Sequence, residues 1–379
     1  MSDLSLPLQS ASGQLPVSFY FDDALYQREI QTLFRCGPRY VGHALSVPQV
    51  GDYAALPQEN EGRALVHGAS GIELVSNVCR HRQAIMLKGR GSLAQANGNI
   101  VCPIHRWTYS GSGAEPVGTL LGAPHFAHNP CLNLHSYPLQ EWHGLLFEAA
   151  PANGAGERDV AADLAGLHES AAFDFSAMVL DRVELHECNY NWKTFIEVYL
   201  EDYHVGPFHP GLGHFVTCAD LRWQFNRHCS VQTVGISDSF GRPGSAVYRR
   251  WHDALLKFRG GILPERGAIW LTYYPHIMVE WYPHVLTVST LHPKGVGKTL
   301  NMVEFYYPEE IQSFERELVE SQQAAYMETC REDDEIGERM DAGRRALLDR
   351  GDNQIGPCQS PMEDGMQHFH AWYRQQMGL

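Results

Sequence analysis

Two cysteines and two histidines of this 379-residue chain come in matched pairs, Cys79-Arg80-His81 and then Cys102-Pro103-Ile104-His105. Each pair supplies one thiolate and one imidazole. Two thiolates can hold one iron of a [2Fe–2S] cluster while two imidazoles hold the other, and histidine in place of two cysteines raises the reduction potential. Such a cluster takes up and passes on single electrons. A tetrahedral zinc ion accepts the same four ligands. Zinc fingers, however, usually set two cysteines on one knuckle and two histidines together later. One of each per knuckle suits two metal atoms side by side.

A second set follows at His204 and His209. Two neutral histidines plus one carboxylate, with open positions left over, form the facial triad of non-haem Fe(II) oxygenases. Dioxygen binds in the open positions. The candidate carboxylates are in Glu332-Asp333-Asp334-Glu335. Helical phase puts Asp333 on the face of Ile336, Met340 and Leu347. It puts Asp334 with Gly337, Glu338 and Asp341, a face that reads as polar and solvated. A buried carboxylate needs a partner, and iron is one, so Asp333 is preferred as third ligand and Asp334 is the alternative.

These residues need elements to position them. Glu197, Glu201 and His204 stand at i, i+4 and i+7, which predicts one helical face. Pro207 is expected to break that helix so that His209 folds back toward His204. Upstream, Asp22 or Asp23 can cap a short helix with Leu25, Ile30 and Phe34 near one face. From about residue 40 to 147, short apolar pieces broken by glycine predict an all-β module with the ligand pairs at strand ends and in loops. Residues 151–159 read as a linker. A strand over residues 178–189 leads into the helix before His204. Residues 268–307 hold four β-rich runs separated by turns, an antiparallel meander. After Pro308 the pattern is helical, with Ile311, Phe314 and Leu318 and then Ile336, Met340 and Leu347. The fold class is α+β.

The meander carries Trp270, Tyr273, Tyr274, Glu280, Trp281 and Tyr282. Of these, Trp270, Tyr273, Glu280 and Trp281 are candidates for a substrate pocket. Aromatic faces can cage a quaternary ammonium or stack on an aromatic ring, and Glu280 can pair with a cation.

The formal net charge of −15 argues against nucleic acid and against an anionic membrane surface. No apolar run approaches the ~20 residues of a membrane span, and the N-terminus lacks a secretory signal. Nine scattered cysteines read as reduced thiols, which points to the cytoplasm.

The flanks of the first set add Arg82 after His81 and Arg106-Trp107 after His105. The run C-x-H-R followed by C-P-x-H-x-W resembles the Rieske signature. With FYFDDALYQREIQTLF, NWKTFIEVYLEDYHVGPFH and the Asp333-bearing helix, nearly the whole chain resembles the α subunit, or terminal oxygenase, of the Rieske non-haem iron oxygenases of the aromatic ring-hydroxylating family. The resemblance implies an all-β Rieske domain at 39–155 and a helix-grip catalytic domain at 156–379, with residues 1–38 as a helical part of the latter. It implies a [2Fe–2S] cluster on Cys79, His81, Cys102 and His105, and Fe(II) on His204, His209 and Asp333. It also implies a head-to-tail homotrimer in which Glu201 bridges the iron site of one subunit to the cluster of the next. Electrons are expected from a separate NAD(P)H-dependent reductase, directly or through a ferredoxin. The letters G-x-G-x-x-A at residues 89–94 lie between the cluster knuckles, not between a strand and a helix, and are no nucleotide site.

Two departures from the family pattern stand out. The bridging acid is glutamate, as in the carnitine and glycine-betaine branch. Where many members carry an asparagine, this chain has Val198, or Glu197 if the register shifts by one. The expected activity is O₂-dependent hydroxylation of a small organic, aromatic compound, and the alternative is monooxygenation of a quaternary ammonium compound by N-demethylation or C–N cleavage. A Rieske electron carrier without a second iron is the alternative from another class.

Overall fold

The computed structural model describes residues 13–123, 125–126, 129–149 and 158–379. The chain forms two compact units, residues 35–162 and residues 1–34 with 163–379. Apart from Arg158 and Asp159, the linker expected at 151–159 lies outside the described residues. Among the described residues no helix is long and apolar enough to cross a membrane, and all nine cysteines are free.

The unit of residues 35–162 is built from small antiparallel sheets of three, five and three strands. In the last of these, Asn99–Val101, Thr108–Ser110 and Leu120–Gly122 lie side by side. Cys79 and Cys102 are part of an apolar core with Val66, Val75, Ile100, Trp107 and Leu120. The two knuckles share one backbone design. The N–H of Gln83 donates to the Cys79 carbonyl and that of Arg106 to the Cys102 carbonyl, both at 3.1 Å. Cys79 N–H returns to Ala84 O at 2.9 Å and Cys102 N–H to Trp107 O at 2.8 Å. Gln83 and Arg106 both take positive φ, 55° and 59°, uncommon for residues with a Cβ. Each loop is therefore closed by its own hydrogen bonds and presents its ligands from a fixed frame.

The other unit is a seven-stranded antiparallel sheet in the order Met178–Cys188, Lys298–Pro308, Val285–Gly295, Ile277–Tyr282, Ala268–Tyr273, Cys229–Ile236, Val216–Asn226. The last four strands in sequence form the expected meander, with Trp270 opposite Glu280 and Glu280 opposite Thr287. Against the face that carries Trp270, Tyr282, Val303 and Phe305 lie the helix Ala246–Phe258 and the first half of the helix Arg316–Asp349. That second helix runs 34 residues, roughly 50 Å at 1.5 Å per residue. The N-terminal segment and the helix Asp364–Met377 pack over the same face further along, around Met278, Leu291 and Trp192. Asp22 is the N-cap of Asp23–Glu29, its side chain accepting from Leu25 N–H at 2.8 Å.

Four sequence-based expectations are corrected. The helix before the histidines ends at Tyr199, with Leu200 as its C-cap, so Glu201 and His204 do not share a helical face with Glu197. The break comes before Pro207, which lies inside a separate short turn of helix, Val205–Phe208. Phe314 is 82% exposed, because the helix is interrupted at Glu315. The face of Gly337 and Asp341 is buried, not solvated. Asp341 accepts from Asn191 N–H and Thr194 Oγ1, and Gly337 lies against the Tyr190 ring.

Candidate active site and metal centres

Segment 200–209 leaves its helix and carries both histidines toward the long helix that bears Asp333. Asp333 Oδ1 stands 3.1 Å from His209 Nε2 and 3.6 Å from His204 Nε2. One ligand atom from each of the three lies within 4.8 Å of the others. His209 Nε2 and Asp333 Oδ1 are buried without a hydrogen-bond partner, a costly state unless a metal takes up both. The donor set, two imidazoles and a carboxylate, fits a mononuclear iron.

The far nitrogen of each histidine meets a carboxylate. His204 Nδ1 is hydrogen-bonded to Glu201, whose other oxygen accepts from the His204 N–H at 3.1 Å. His209 Nδ1 lies 2.7 Å from Glu332 Oε2. Such contacts fix which nitrogen of an imidazole is left for the metal. Burial works against a charge on His204, but the carboxylates of Asp333 and Glu201 outweigh it and lift the imidazole to about 10. Burial likewise opposes a raised His209, and Asp333 and Glu332 prevail. Burial would push Asp333 up, yet the two imidazoles hold it below the ordinary range.

Asp334 points elsewhere. It accepts from His186 Nε2 at 2.6 Å and Tyr190 Oη at 3.0 Å. His186, Cys188 and Asp334 also gather ligand atoms, but those two contacts already occupy both carboxylate oxygens. Glu197 is equally remote in role. Burial opposes its charge, but Arg344 and His370 hold it at about 2, with Arg344 Nη2 at 2.6 Å and His370 Nε2 at 2.8 Å. It therefore anchors helices. Val198 is a neighbour of the cavity beside the histidines.

That cavity, about 80 Å³, has room for more than a water, which needs ~10–15 Å³. It is lined by His204, His209 and Asp333 and by a wall of Tyr248, Trp251, Trp270 and Tyr282. Of the four pocket residues expected from sequence, Trp270 and Glu280 line it. Tyr273 and Trp281 are on the opposite face of the sheet by strand alternation, and Tyr273 donates to Asp163 at 2.6 Å. Glu280 is 1% exposed. It accepts from Tyr326 Oη at 2.7 Å and Tyr282 Oη at 2.9 Å, and Trp270 Nε1 donates to Tyr282 Oη at 2.9 Å behind them. Burial pushes the Glu280 carboxyl up to about 7, against the pull of these tyrosines. Sequence reading missed Asp202, Tyr326 and Cys330, and it missed the part Glu332 plays against His209. For two of them a signal exists: Gln322, Tyr326, Thr329, Cys330 and Asp333 fall at i, i+4, i+7, i+8 and i+11, one stripe of the long helix along the cavity.

In the other unit the two cysteines are 1% exposed and the two histidines are exposed. The rings of His81 and His105 meet edge to face at 4.5 Å, their Nδ1 atoms 3.2 Å apart. Trp107 stacks on His81 at 5.0 Å. No three of these four ligand atoms gather as closely as the iron-type triad does. A single zinc, with bonds of about 2.0–2.3 Å, would draw all four together. An inner thiolate pair and an outer imidazole pair fit a two-iron cluster instead.

Residues 40–121 match the Rieske [2Fe-2S] domain family, and residues 173–379 match the catalytic domain of the ring hydroxylating alpha subunit family. The chain belongs to the Rieske ring-hydroxylating oxygenase α subunits. As such it uses a [2Fe–2S] cluster and a mononuclear iron. This Rieske oxygenase chain is 64% identical over 379 residues to a putrescine 2-hydroxylase of Ralstonia nicotianae, covering 100% of both. It is 60% identical to a putrescine 2-hydroxylase of Bordetella bronchiseptica, over 97% of this chain and 85% of that one. Among solved structures, the quaternary ammonium Rieske monooxygenase CntA with L-carnitine aligns over 96% of both chains at 20% identity and a TM-score of 0.73, a likeness of fold.

Proposed function

We propose that this Rieske oxygenase hydroxylates an aliphatic diamine of the putrescine class at an iron held by His204, His209 and Asp333. The observation that carries the amine is Glu280. It is a buried carboxylate with no ion-pair partner among the described residues, set in the wall of the cavity that the iron ligands line. A primary ammonium offers the N–H donors and the charge that this carboxylate lacks. A quaternary ammonium has no N–H to give, and a neutral aromatic ring has no charge, so both use this wall less fully. The 64% identity to a putrescine 2-hydroxylase supports the diamine.

The reaction is R–H + O₂ + 2 e⁻ + 2 H⁺ → R–OH + H₂O. When bound, the iron supplies the site at which dioxygen is reduced. The chain's own residues do the rest. Cys79 and Cys102 would hold one iron of the cluster and His81 and His105 the other, and the cluster would supply the electrons, which come from a separate NAD(P)H-dependent reductase. Glu201 keeps the Nδ1 of His204 engaged and links it to the cluster of a neighbouring subunit in a homotrimer. Glu332 does the same orienting work for His209. Glu280 holds the substrate's ammonium, and the aromatic wall keeps water from the reacting carbon.

The test is single turnover with ¹⁸O₂ and putrescine on protein whose cluster and iron are loaded and reduced. The expected product carries one added oxygen, and that oxygen is ¹⁸O. Iron-replete enzyme that consumes O₂ yet returns the diamine unchanged would remove this reading.

A further inference from the structure

Four carboxylates line the cavity: Glu201, Asp202, Glu280 and Asp333. Two are engaged. Glu201 bonds His204 Nδ1, and Asp333 faces the two Nε2 atoms. The remaining two, Asp202 and Glu280, are 4% and 1% exposed, and neither is in an ion pair among the described residues. Asp202 Oδ2 is buried with no hydrogen-bond partner. The backbone of Asp202 is fixed independently of that carboxylate: its N–H donates to Met362 O at 3.0 Å and its carbonyl accepts from Val205 N–H at 3.2 Å. Among side chains, only the neutral amide of Gln232 approaches this carboxyl as a hydrogen-bond donor, and a buried carboxylate outside any ion pair is costly.

We infer that Asp202 and Glu280 are two ammonium sockets, one for each end of an α,ω-diamine. The inference rests on the amine reading above and adds the second end. Alkylamines of the lysine type titrate near ~10.4, so a diamine enters with both ends charged. Two buried carboxylates outside any ion pair among the described residues meet two ammoniums without anions. Asp202 and Glu280 line the same cavity as His204, His209 and Asp333, so both sockets share it with the iron ligands. A monoamine fills one socket and leaves the other carboxylate buried and unpaired. Sites built in this way reject the analogue that lacks the matching group far more strongly than they reject a change of size. The two sockets thus make the cavity a reader of diamines.

The experiment measures binding of putrescine and of 1-aminobutane, under argon, to iron- and cluster-loaded enzyme. It compares wild type, Glu280→Gln and Asp202→Asn, with metal content and cluster absorbance checked in each. The wild type is expected to bind 1-aminobutane roughly 10–100-fold more weakly than putrescine, the range for a hydrogen bond to a charged group. Each variant is expected to bind putrescine more weakly by a similar factor. The losses should not add: one of the two variants should bind 1-aminobutane as the wild type does, because its missing socket was already empty. Equal wild-type affinity for the two amines overturns the inference, and this arm needs no variant to fold. So does wild-type affinity for putrescine in both variants, and if the wild type still forms hydroxylated diamine the amine reading survives alone. Failure of the wild type to bind either amine overturns both.

Discussion

His204 and His209, proposed here as iron ligands, each have a carboxylate on the far nitrogen, Glu201 and Glu332 respectively. Glu332→Gln should lower the iron affinity of the apoprotein by about 10–100-fold, the usual cost of losing such a partner. Competition with a coloured chelator measures it, while the cluster spectrum stays unchanged. The same carboxylates create a pH dependence. In the metal-free site His204 is lifted to about 10, so it holds its proton near neutrality, and Asp333 and Glu332 push His209 in the same direction against burial. Iron takes neutral imidazole, so binding displaces the His204 proton. Apparent affinity should therefore rise with pH, by about tenfold per unit for each proton displaced; a flat profile between about pH 6.5 and about pH 8 would contradict it. The cysteine-histidine pairs stood out by their spacing and flanks, whereas His204 and His209 stood out only beside that signature, since two histidines five apart read equally well as a polar loop. Asp333 was picked out by helical phase, and Cys330 and Tyr326, one and two turns earlier, fall on the same stripe of the long helix along the cavity. Glu332 was hidden in a run of four acids that look alike as letters. Asp202 was hidden because an isolated acid shows its burial only once the cavity around it exists.

The long helix Arg316–Asp349 links these sites, and its fit against the strand and helix beneath it is tight at Gly337. A Cβ there would meet the Tyr190 ring at 2.8 Å. Tyr190 is 1% exposed and donates to Asp334, so the ring has nowhere to go. Gly337→Ala should destabilise the catalytic unit by about 1–3 kcal/mol, as overpacking does, even though alanine is the better helix former by about 1 kcal/mol. The shift of the urea midpoint checks it; an unchanged or higher midpoint would mean that the helix moves freely over Tyr190. At this scale the sequence foretold elements better than their ends. The meander was visible because β-rich runs alternate with short turns, and Asp22 was visible as a cap. The helix after Asn191 was read five residues too long because Glu201 and His204 keep helical spacing. What overrules that spacing is tertiary: Leu200 is buried in the core around Trp192 and Phe369, and Asp202 N–H is taken by Met362, so the chain turns toward the cavity.

For the whole molecule, charge is distributed as unevenly as chemistry. Residues 35–162 carry equal numbers of acidic and basic residues, so the entire formal charge of −15 belongs to residues 1–34 and 163–379. Within the first unit, the stretch 77–110 that holds both cluster knuckles contains Arg80, Arg82, Lys88, Arg90 and Arg106 and no acid. All five are exposed, as are His81 and His105. An exposed pair of cluster ligands inside a basic collar favours an acidic electron-donor protein, because clustered charge of one sign steers association by ~10–10³-fold and the effect fades with salt. Lys88→Glu with Arg90→Glu leaves the knuckle residues themselves in place. It should slow cluster reduction by the cognate reductase or ferredoxin roughly tenfold at low ionic strength. Rising salt should slow the wild type toward the variant. Reduction by dithionite, a small reductant that needs no docking surface, serves as the control and should be little altered. Stopped-flow bleaching of the cluster absorbance follows all three. If donor-driven reduction is indifferent to both salt and the double substitution, the donor docks without the collar, and the basic stretch serves contacts with the acidic catalytic unit of another copy instead.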